Sequence, residues 1–180
     1  MLRIILKYGV IAGLVVGGFM FATFLGFDGE PPMNYAMLIG YTTMLIALSA
    51  VFFGIKRHRD VDRGGVIGFW PALGAGLGIS FVASVFYVLA WEGVQAVMDM
   101  DFATSYGNAM IESARARGAT EEAIAKMSAE MAAFKVQYAD PMFRLPMTFV
   151  EIFPVGVLVS LVSAALLRNP RFLPARRTRA

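Results

Sequence analysis

Long apolar segments alternate with short charged connections along this chain, and the alternation predicts its architecture. Residues 8–27, 31–55 and 64–91 carry no charge, and each run is long enough to cross a hydrocarbon core of about 30 Å. A fourth segment, residues 143–167, is interrupted by Glu151 and Pro154, but residues 152–167 alone are almost wholly apolar. We therefore predict an all-α membrane protein with a single integral membrane domain over residues 1–180. Its four-helix bundle has spans at about residues 4–27, 33–55, 66–92 and 143–167.

The first span could also be a cleaved signal peptide, because Arg3 and Lys7 give it a basic start. Its apolar run exceeds the roughly 7 to 15 residues of a signal-peptide core, and residues 24–27 offer no convincing small-residue cleavage site. We expect this segment to remain as a membrane anchor.

Basic residues are concentrated before span 1, between spans 2 and 3, and after span 4. They are Arg3 and Lys7; Lys56, Arg57, Arg59 and Arg63; and Arg168, Arg171, Arg176, Arg177 and Arg179. The connection between spans 1 and 2, residues 28–32, has none. Because Lys and Arg are retained on the cytoplasmic side of short loops, both termini are predicted to be cytoplasmic.

Composition excludes several classes of function. A hydrophobic content of 58% and a mean hydropathy of +0.64 exclude an ordinary soluble domain. The chain has no cysteine and a single histidine, His58, so we expect no metal site and no cofactor. Nucleic acid is not expected as a partner, because the basic residues flank apolar spans. Asp60 and Asp62 could hold a cation, but neighbouring bases favour a charge-paired turn.

Residues 99–140, between spans 3 and 4, have the composition of a soluble protein and are net acidic. In the second half, apolar side chains share one helix face: Ile124, Met127, Met131, Phe134 and Tyr138. A similar pattern starts at Phe102 and Tyr106 and continues at Ala109 or Met110. Gly118 could end the first helix and Thr120 could cap the second. We predict an exported amphipathic helical hairpin, which could bind a ligand or partner or simply rest on the bilayer.

Small residues recur at every fourth position on three spans. They are Gly9, Gly13 and Gly17 on span 1; Gly68, Ala72, Gly76, Ser80 and Ser84 on span 3; and Gly156, Ser160 and Ala164 on span 4. This spacing lets helix backbones approach closely in lipid. The neighbouring helix could belong to the same chain or to a second copy, and four helices in one chain favour the first.

Two carboxylates, Glu92 and Glu151, lie in or against the predicted spans at similar depth, so they could be close together. A carboxylate in hydrocarbon is costly unless it is protonated, paired or hydrated. One hypothesis is a proton or cation site at Glu151, with Tyr87 as a hydrogen-bond partner and Pro154 loosening the helix. The other is that Glu92 lies at the membrane interface beside Trp91 and that Glu151 is a structural hydrogen-bonding group.

The order of several short motifs resembles a known family. The motifs are Gly40-Tyr41-Thr42-Thr43-Met44, Ser49-Ala50-Val51-Phe52-Phe53-Gly54-Ile55-Lys56, Arg59-Asp60, Gly64-Gly65, Tyr87 with Trp91, and Glu151-Ile152-Phe153-Pro154-Val155-Gly156. Over nearly its whole length the chain resembles the DUF4199 family of small multi-pass membrane proteins. The resemblance implies a bacterial cytoplasmic (inner) membrane protein of unknown function, and it carries over no catalytic residues.

These features favour a non-enzymatic role, either as a small transporter or as an accessory subunit of a membrane complex. The expected partners are the lipid bilayer and either a membrane protein or a second copy of the chain. Transport would require oligomerisation, because the chain is too short for two large inverted repeats. The alternative is a membrane-embedded enzyme that acts on a lipid-linked substrate with Glu151 as acid or base. The sequence offers no Ser–His pair or metal cluster to support it.

Overall fold

A computed structural model of the protein describes residues 1–27 and 33–175. These residues form six α-helices: α1 (Leu2–Gly26), α2 (Met33–Arg57), α3 (Phe69–Met98), α4 (Phe102–Ala116), α5 (Glu121–Tyr138) and α6 (Pro141–Leu167). A π-helical turn, His58–Asp62, continues α2. The described part of the chain has no β-strand, and the prediction of an all-α protein is confirmed.

Four helical segments are long and apolar enough to cross a membrane: Leu2–Gly26, Met37–Asp62, Phe69–Met98 and Pro141–Leu167. The predicted bundle of four membrane-spanning helices is therefore confirmed, and the protein is a multi-pass membrane protein. α3 runs on to Met98, past the predicted span end at residue 92, because the residues between them remain largely apolar.

The four long helices form a ring in the order α1, α2, α6, α3, and α2 also touches α3 across the ring. The core lies where all four meet, and Val16, Leu48, Ile79 and Ile152 are buried there. We call the end of the bundle that carries α4 and α5 the hairpin end. The opposite end, with Met1, the π-helical turn and residues 168–175, is called the terminal end.

Local signals in the sequence set the ends of α4 and α5. The Asp101 carboxylate accepts a hydrogen bond from the Thr104 backbone N–H at 3.1 Å and caps α4. Gly118 follows α4 with a φ of +76°, a left-handed conformation that glycine adopts without strain. The Thr120 hydroxyl then accepts from the Ala123 N–H at 3.3 Å and caps α5.

The two hairpin helices pack against each other through faces with different side chains. α5 uses the predicted apolar stripe, and Ile124 and Tyr138 are the buried members of it. On α4 the buried residues are Ala103, Gly107 and Ala114, while Phe102 and Tyr106 of the predicted face lie beside them and contact Tyr138 and Phe134 of α5. A Cβ on Gly107 would lie only 3.2 Å from the Met131 Cβ. Small residues therefore let α5 approach α4, a role that an apolar periodicity does not reveal.

Candidate functional site

A bidentate ion pair joins α3 to α6 near the hairpin end. Arg144 donates from Nε to Oε1 of Glu92 at 2.7 Å and from Nη2 to Oε2 at 2.6 Å. Two parallel charge-assisted hydrogen bonds fix the geometry of the pair as well as strengthening it. Glu92 therefore has a basic partner that the sequence analysis did not single out. The available signal was that antiparallel neighbouring spans bring the start of α6 beside the end of α3.

An aromatic cluster attaches the base of the hairpin to the same ion pair. Trp91 donates from Nε1 to the Tyr138 hydroxyl at 2.7 Å, and Arg144 donates from Nη1 to the Tyr138 carbonyl at 3.3 Å. The Phe102 ring centre lies 5.0 Å from that of Trp91 and 5.5 Å from that of Tyr138. Burial raises the pKa of Tyr138, so its hydroxyl remains a neutral hydrogen-bonding group. The hairpin base is thus held by both polar and aromatic contacts.

Glu151 lies on the outer surface of the bundle. Its side chain is exposed, whereas the next residue, Ile152, is fully buried. On one side Glu151 borders Tyr87 of α3, a buried side chain whose hydroxyl lies beside the Glu151 carboxylate. On its other side the residue is exposed at the surface of the bundle.

Glu92 and Glu151 have different polar neighbours. Arg144, which holds Glu92, and Glu151 are about two turns apart on α6, or roughly 10 Å along the helix axis. The Glu92 carboxylate has both oxygens engaged in a structural pair. Glu151 combines a carboxylate with the Tyr87 phenol and an open side, so it can exchange a proton or form an ionic contact with an incoming group.

The glycines of α1 face α3. In chain order, Gly9, Gly13 and Gly17 lie opposite Val82, Phe86 and Ala90, so the two helices run parallel. A Cβ built on Gly13 would lie 2.3 Å from the Phe86 Cβ, and one on Gly9 would lie 2.5 Å from the Val82 Cβ. These distances are shorter than any ordinary carbon contact, so the helices are this close only because glycine is present.

The small residues of α3 and α6 pack against each other. A Cβ on Gly76 would lie 2.9 Å from the Ser160 Cβ, and one on Gly156 would lie 2.7 Å from the Ser80 Cβ. The Ser80 hydroxyl also lies 3.1 Å from the Ser160 hydroxyl, and the Ser160 hydroxyl donates to the Gly156 carbonyl at 2.7 Å. The remaining members of the two stripes, Ala72, Ser84 and Ala164, are buried as well.

Gly68 differs from the other small residues. It is exposed and lies at the N-cap of α3 rather than within the helix. A Cβ there would contact only Pro71, in the first turn of the same helix, at 3.6 Å. The packing stripe of α3 therefore begins at Ala72, because the chain enters the helix only after Gly68.

A second polar cluster, at the terminal end, is centred on Arg59. This side chain is fully buried. Its Nη1 donates to the carbonyls of Phe172 at 2.9 Å and Leu167 at 3.5 Å, and its Nη2 donates to that of Leu173 at 2.5 Å. Its Nε donates to Asp60 at 2.7 Å. Arg59 therefore ties the turn after α2 to the chain that leaves α6.

Both carboxylates of this turn have further partners. Lys56 forms an ion pair with Asp60, and His58 Nδ1 lies 2.8 Å from the Asp62 carboxylate. The carboxylates thus engage basic side chains, as a charge-paired turn requires. Across residues 1–27 and 33–175 there is no group of three or more His, Cys, Asp or Glu side chains that could hold a metal ion.

An ion pair between α4 and α5 makes the hairpin sensitive to acid. Lys135 Nζ donates to Asp101 Oδ2 at 2.6 Å, and the Thr104 hydroxyl donates to the same oxygen at 2.7 Å. These bonds lower the pKa of Asp101 to about 2. An unfolded Asp titrates near about 4, so the folded state binds fewer protons. The stabilisation is complete above about pH 4 and is lost as the pH falls toward 2.

We expect an NMR titration of the Asp101 carboxyl in the detergent-solubilised protein to show a midpoint near pH 2. Lys135→Met should raise that midpoint toward about 4, because it removes the main donor to the carboxylate. Lys126→Met is the matched control, since Lys126 is an exposed lysine paired only with Glu130 at 4.0 Å. A midpoint that Lys135→Met leaves unchanged would contradict this assignment.

Comparison with known families gives a match over most of the chain. The family model described as "Protein of unknown function (DUF4199)" matches residues 7–169, which include the ion pairs of Arg59, Glu92 and Arg144 and the exposed Glu151. Neither a curated protein nor a solved structure matches the chain.

Proposed function

The chain belongs to the DUF4199 family, and from its geometry we propose that it is a non-enzymatic accessory subunit of a membrane complex. The observation that carries the proposal is the exposed position of Glu151 within α6, about two turns deeper than Arg144. A carboxylate that faces hydrocarbon costs several kcal/mol unless it is protonated, paired or hydrated. A protein that covers this face of α6 and pairs with the carboxylate removes that cost, so we place the partner there.

The internal packing of the bundle supports an accessory role. Apart from Gly68, the small-residue stripes of α1, α3 and α6 are engaged within the chain, so they are not a free surface for a second copy. Ser80 and Ser160 bond to each other and to the Gly156 backbone, which closes the α3–α6 interface instead of lining a path for solute. The contact with the complex therefore falls to the outward faces of the helices.

Photo-crosslinking in cells tests the location of the partner. A photoreactive residue at Met147 or Leu158, both exposed on α6, should give a discrete adduct with another protein. Leu14 of α1 is the matched control, since it is as exposed as Leu158 but lies on a different face of the bundle. Adducts of equal yield at all three positions would contradict a specific contact through α6.

Substitution of Glu151 should separate binding from stability. Because the side chain is exposed and Gln keeps an oxygen that can accept from Tyr87, Glu151→Gln should leave the free energy of unfolding in detergent within about 0.5 kcal/mol of wild type. Glu151→Leu also removes that acceptor from the buried Tyr87 hydroxyl and should cost about 1 kcal/mol. Both should strongly reduce the crosslinked adduct, and Glu151→Asp should retain part of it. A marked loss of stability in Glu151→Gln would indicate a structural carboxylate. Loss of the biological phenotype with an intact adduct would favour the alternative, an enzyme that uses Glu151 as acid or base.

We also propose that the hairpin end is exported and that both termini are cytoplasmic, in a bacterial inner membrane. The exposed bases Arg57, Arg63, Arg168 and Arg171 at the terminal end support this orientation. Reporter fusions after Arg63 and after Arg179 should report cytoplasm, and fusions after Glu30 and Gly118 should report the exported side. Residues 28–32 and 176–180 lie outside the described structure, and the fusions after Glu30 and Arg179 report on which side of the membrane these two segments lie. A cytoplasmic signal at Gly118 would overturn the orientation.

A further inference from the structure

Resting on that proposed function, we infer that the partner contributes a transmembrane helix with a Lys or Arg at the depth of Glu151. The inference specifies both the docking surface and the chemistry of its occupant. The surface is a row of exposed residues along one side of α6, which we call the α6 stripe: Met147, Glu151, Pro154, Leu158 and Val162.

The α6 stripe has the shape and length that a single helix needs. Its members are three or four residues apart, so they share one side of the helix. From Met147 to Val162 the stripe extends about 22 Å along the axis, most of the thickness of a hydrocarbon core. Glu151 is its one charged member, and the others are apolar. A helix lying along this row would meet lipid-like side chains everywhere except at one carboxylate.

Charge complementarity decides what that helix must carry. On the bundle side, the Glu151 carboxylate borders the Tyr87 hydroxyl, a neutral group that can donate one hydrogen bond. The open side of the carboxylate needs a second group, and in a low dielectric a cation is the strongest partner. Arg and Lys are both able to reach such a site, Arg with a bidentate fork and Lys as a point charge.

A second copy of this chain does not supply that cation. The apolar runs within the spans, residues 8–27, 31–55, 64–91 and 145–167, contain no Lys, Arg or His, and the bases of α1 and α2 lie toward the terminal end. Arg144, the base nearest to Glu151 along α6, is held by both oxygens of Glu92. Two copies in the same orientation would bring Glu151 against an uncharged helix or against another carboxylate. The occupant is therefore a helix of a different protein.

Reconstitution with a defined probe tests this inference. Full-length protein carrying a fluorescent donor is placed in phosphatidylcholine vesicles with an acceptor-labelled peptide, a leucine–alanine transmembrane helix of about 22 residues. One peptide carries a Lys about two turns from its end, and the matched peptide carries Leu at that position. Energy transfer should show the Lys peptide associating about tenfold more tightly with the wild-type protein. Glu151→Gln, which keeps the shape and removes the charge, should abolish the difference.

Two further measurements test the charge and the identity of the helix that occupies the α6 stripe. Glu151→Lys should reverse the preference, so that a peptide with Glu at the same position associates more tightly than the Lys peptide. Equal association of the Lys and Leu peptides with the wild-type protein would overturn the inference. So would energy transfer between two labelled copies of the chain that is lost in Glu151→Gln, because it would make a second copy the occupant.

The peptide experiment and the cellular crosslinking test different proposals, so each can give a negative result without the other. Adducts at Met147 and Leu158 together with no preference for the Lys peptide would keep the accessory role and remove the basic helix. A clear preference for the Lys peptide without any adduct in cells would keep the affinity of the α6 stripe for a basic helix and remove the accessory role.

Discussion

Replacing Arg59 with Met is expected to destabilise the protein by about 3 kcal/mol or more, the largest loss among the substitutions considered. The substitution removes donors to three backbone carbonyls that follow or end α6, those of Leu167, Phe172 and Leu173. It also takes one of the two basic partners away from Asp60. A fully buried acceptor that loses its donor costs about 1 to 3 kcal/mol; the contact to Leu167 is buried and those to Phe172 and Leu173 are partly buried. Unfolding of the full chain in mixed detergent micelles measures the loss.

Two further variants serve as controls for Arg59→Met. Arg57→Met removes a neighbouring arginine that is exposed, and it should change the unfolding free energy by less than about 0.5 kcal/mol. Arg59→Lys keeps the charge but lacks the planar fork that reaches several carbonyls at once, so it should lie between Met and wild type. If Arg59→Met unfolded like Arg57→Met, the contacts from Arg59 to the chain after α6 would not stabilise the fold.

Gly13→Leu and Gly76→Leu should each destabilise the bundle by about 1 to 3 kcal/mol, the usual cost of overpacking. A Cβ on Gly13 would lie 2.3 Å from the Phe86 Cβ, and one on Gly76 would lie 2.9 Å from the Ser160 Cβ. The two helices of each pair must separate to admit a side chain, and they lose their other contacts when they do. Thermal melting in detergent, followed by circular dichroism, measures the shift.

The same helices provide matched controls. Gly18 of α1 and Gly74 of α3 have no atom within 4 Å of an added Cβ. Gly18→Leu and Gly74→Leu should therefore melt close to wild type, since the new side chain enters open space and leucine favours helix more than glycine does. Gly13→Leu or Gly76→Leu melting no lower than its control would mean that the glycine does not set the helix spacing.

Properties that depend on a short stretch of chain could be predicted from the sequence. A span must satisfy its own backbone hydrogen bonds and present apolar side chains to lipid, so composition over about 20 residues predicts it. The caps at Gly118 and Thr120 are equally local, because each involves atoms within a few residues. The four spans and the start of α5 therefore needed no tertiary information.

Which helices face each other could not be predicted in this way. The small residues of α1 and α3 have the same spacing, yet those of α1 face Val82 and Phe86 while those of α3 face α6. Periodicity shows that a helix has a flat side, but the arrangement of four helices decides what covers that side. Glu92 and Glu151 illustrate the same limit, since Arg144 engages only the first and the second is exposed.

Arg59 is the residue for which the sequence and the structure differ most. In the sequence it is one of several bases in a short charged loop, where arginines usually remain in water. In the structure it is fully buried, because carbonyls more than a hundred residues further along the chain converge on its guanidinium. The sequence alone determined where the chain crosses the membrane, since that is a local balance between lipid and water. Only the tertiary structure decided which charges are buried, paired or left exposed, because their partners come from distant segments.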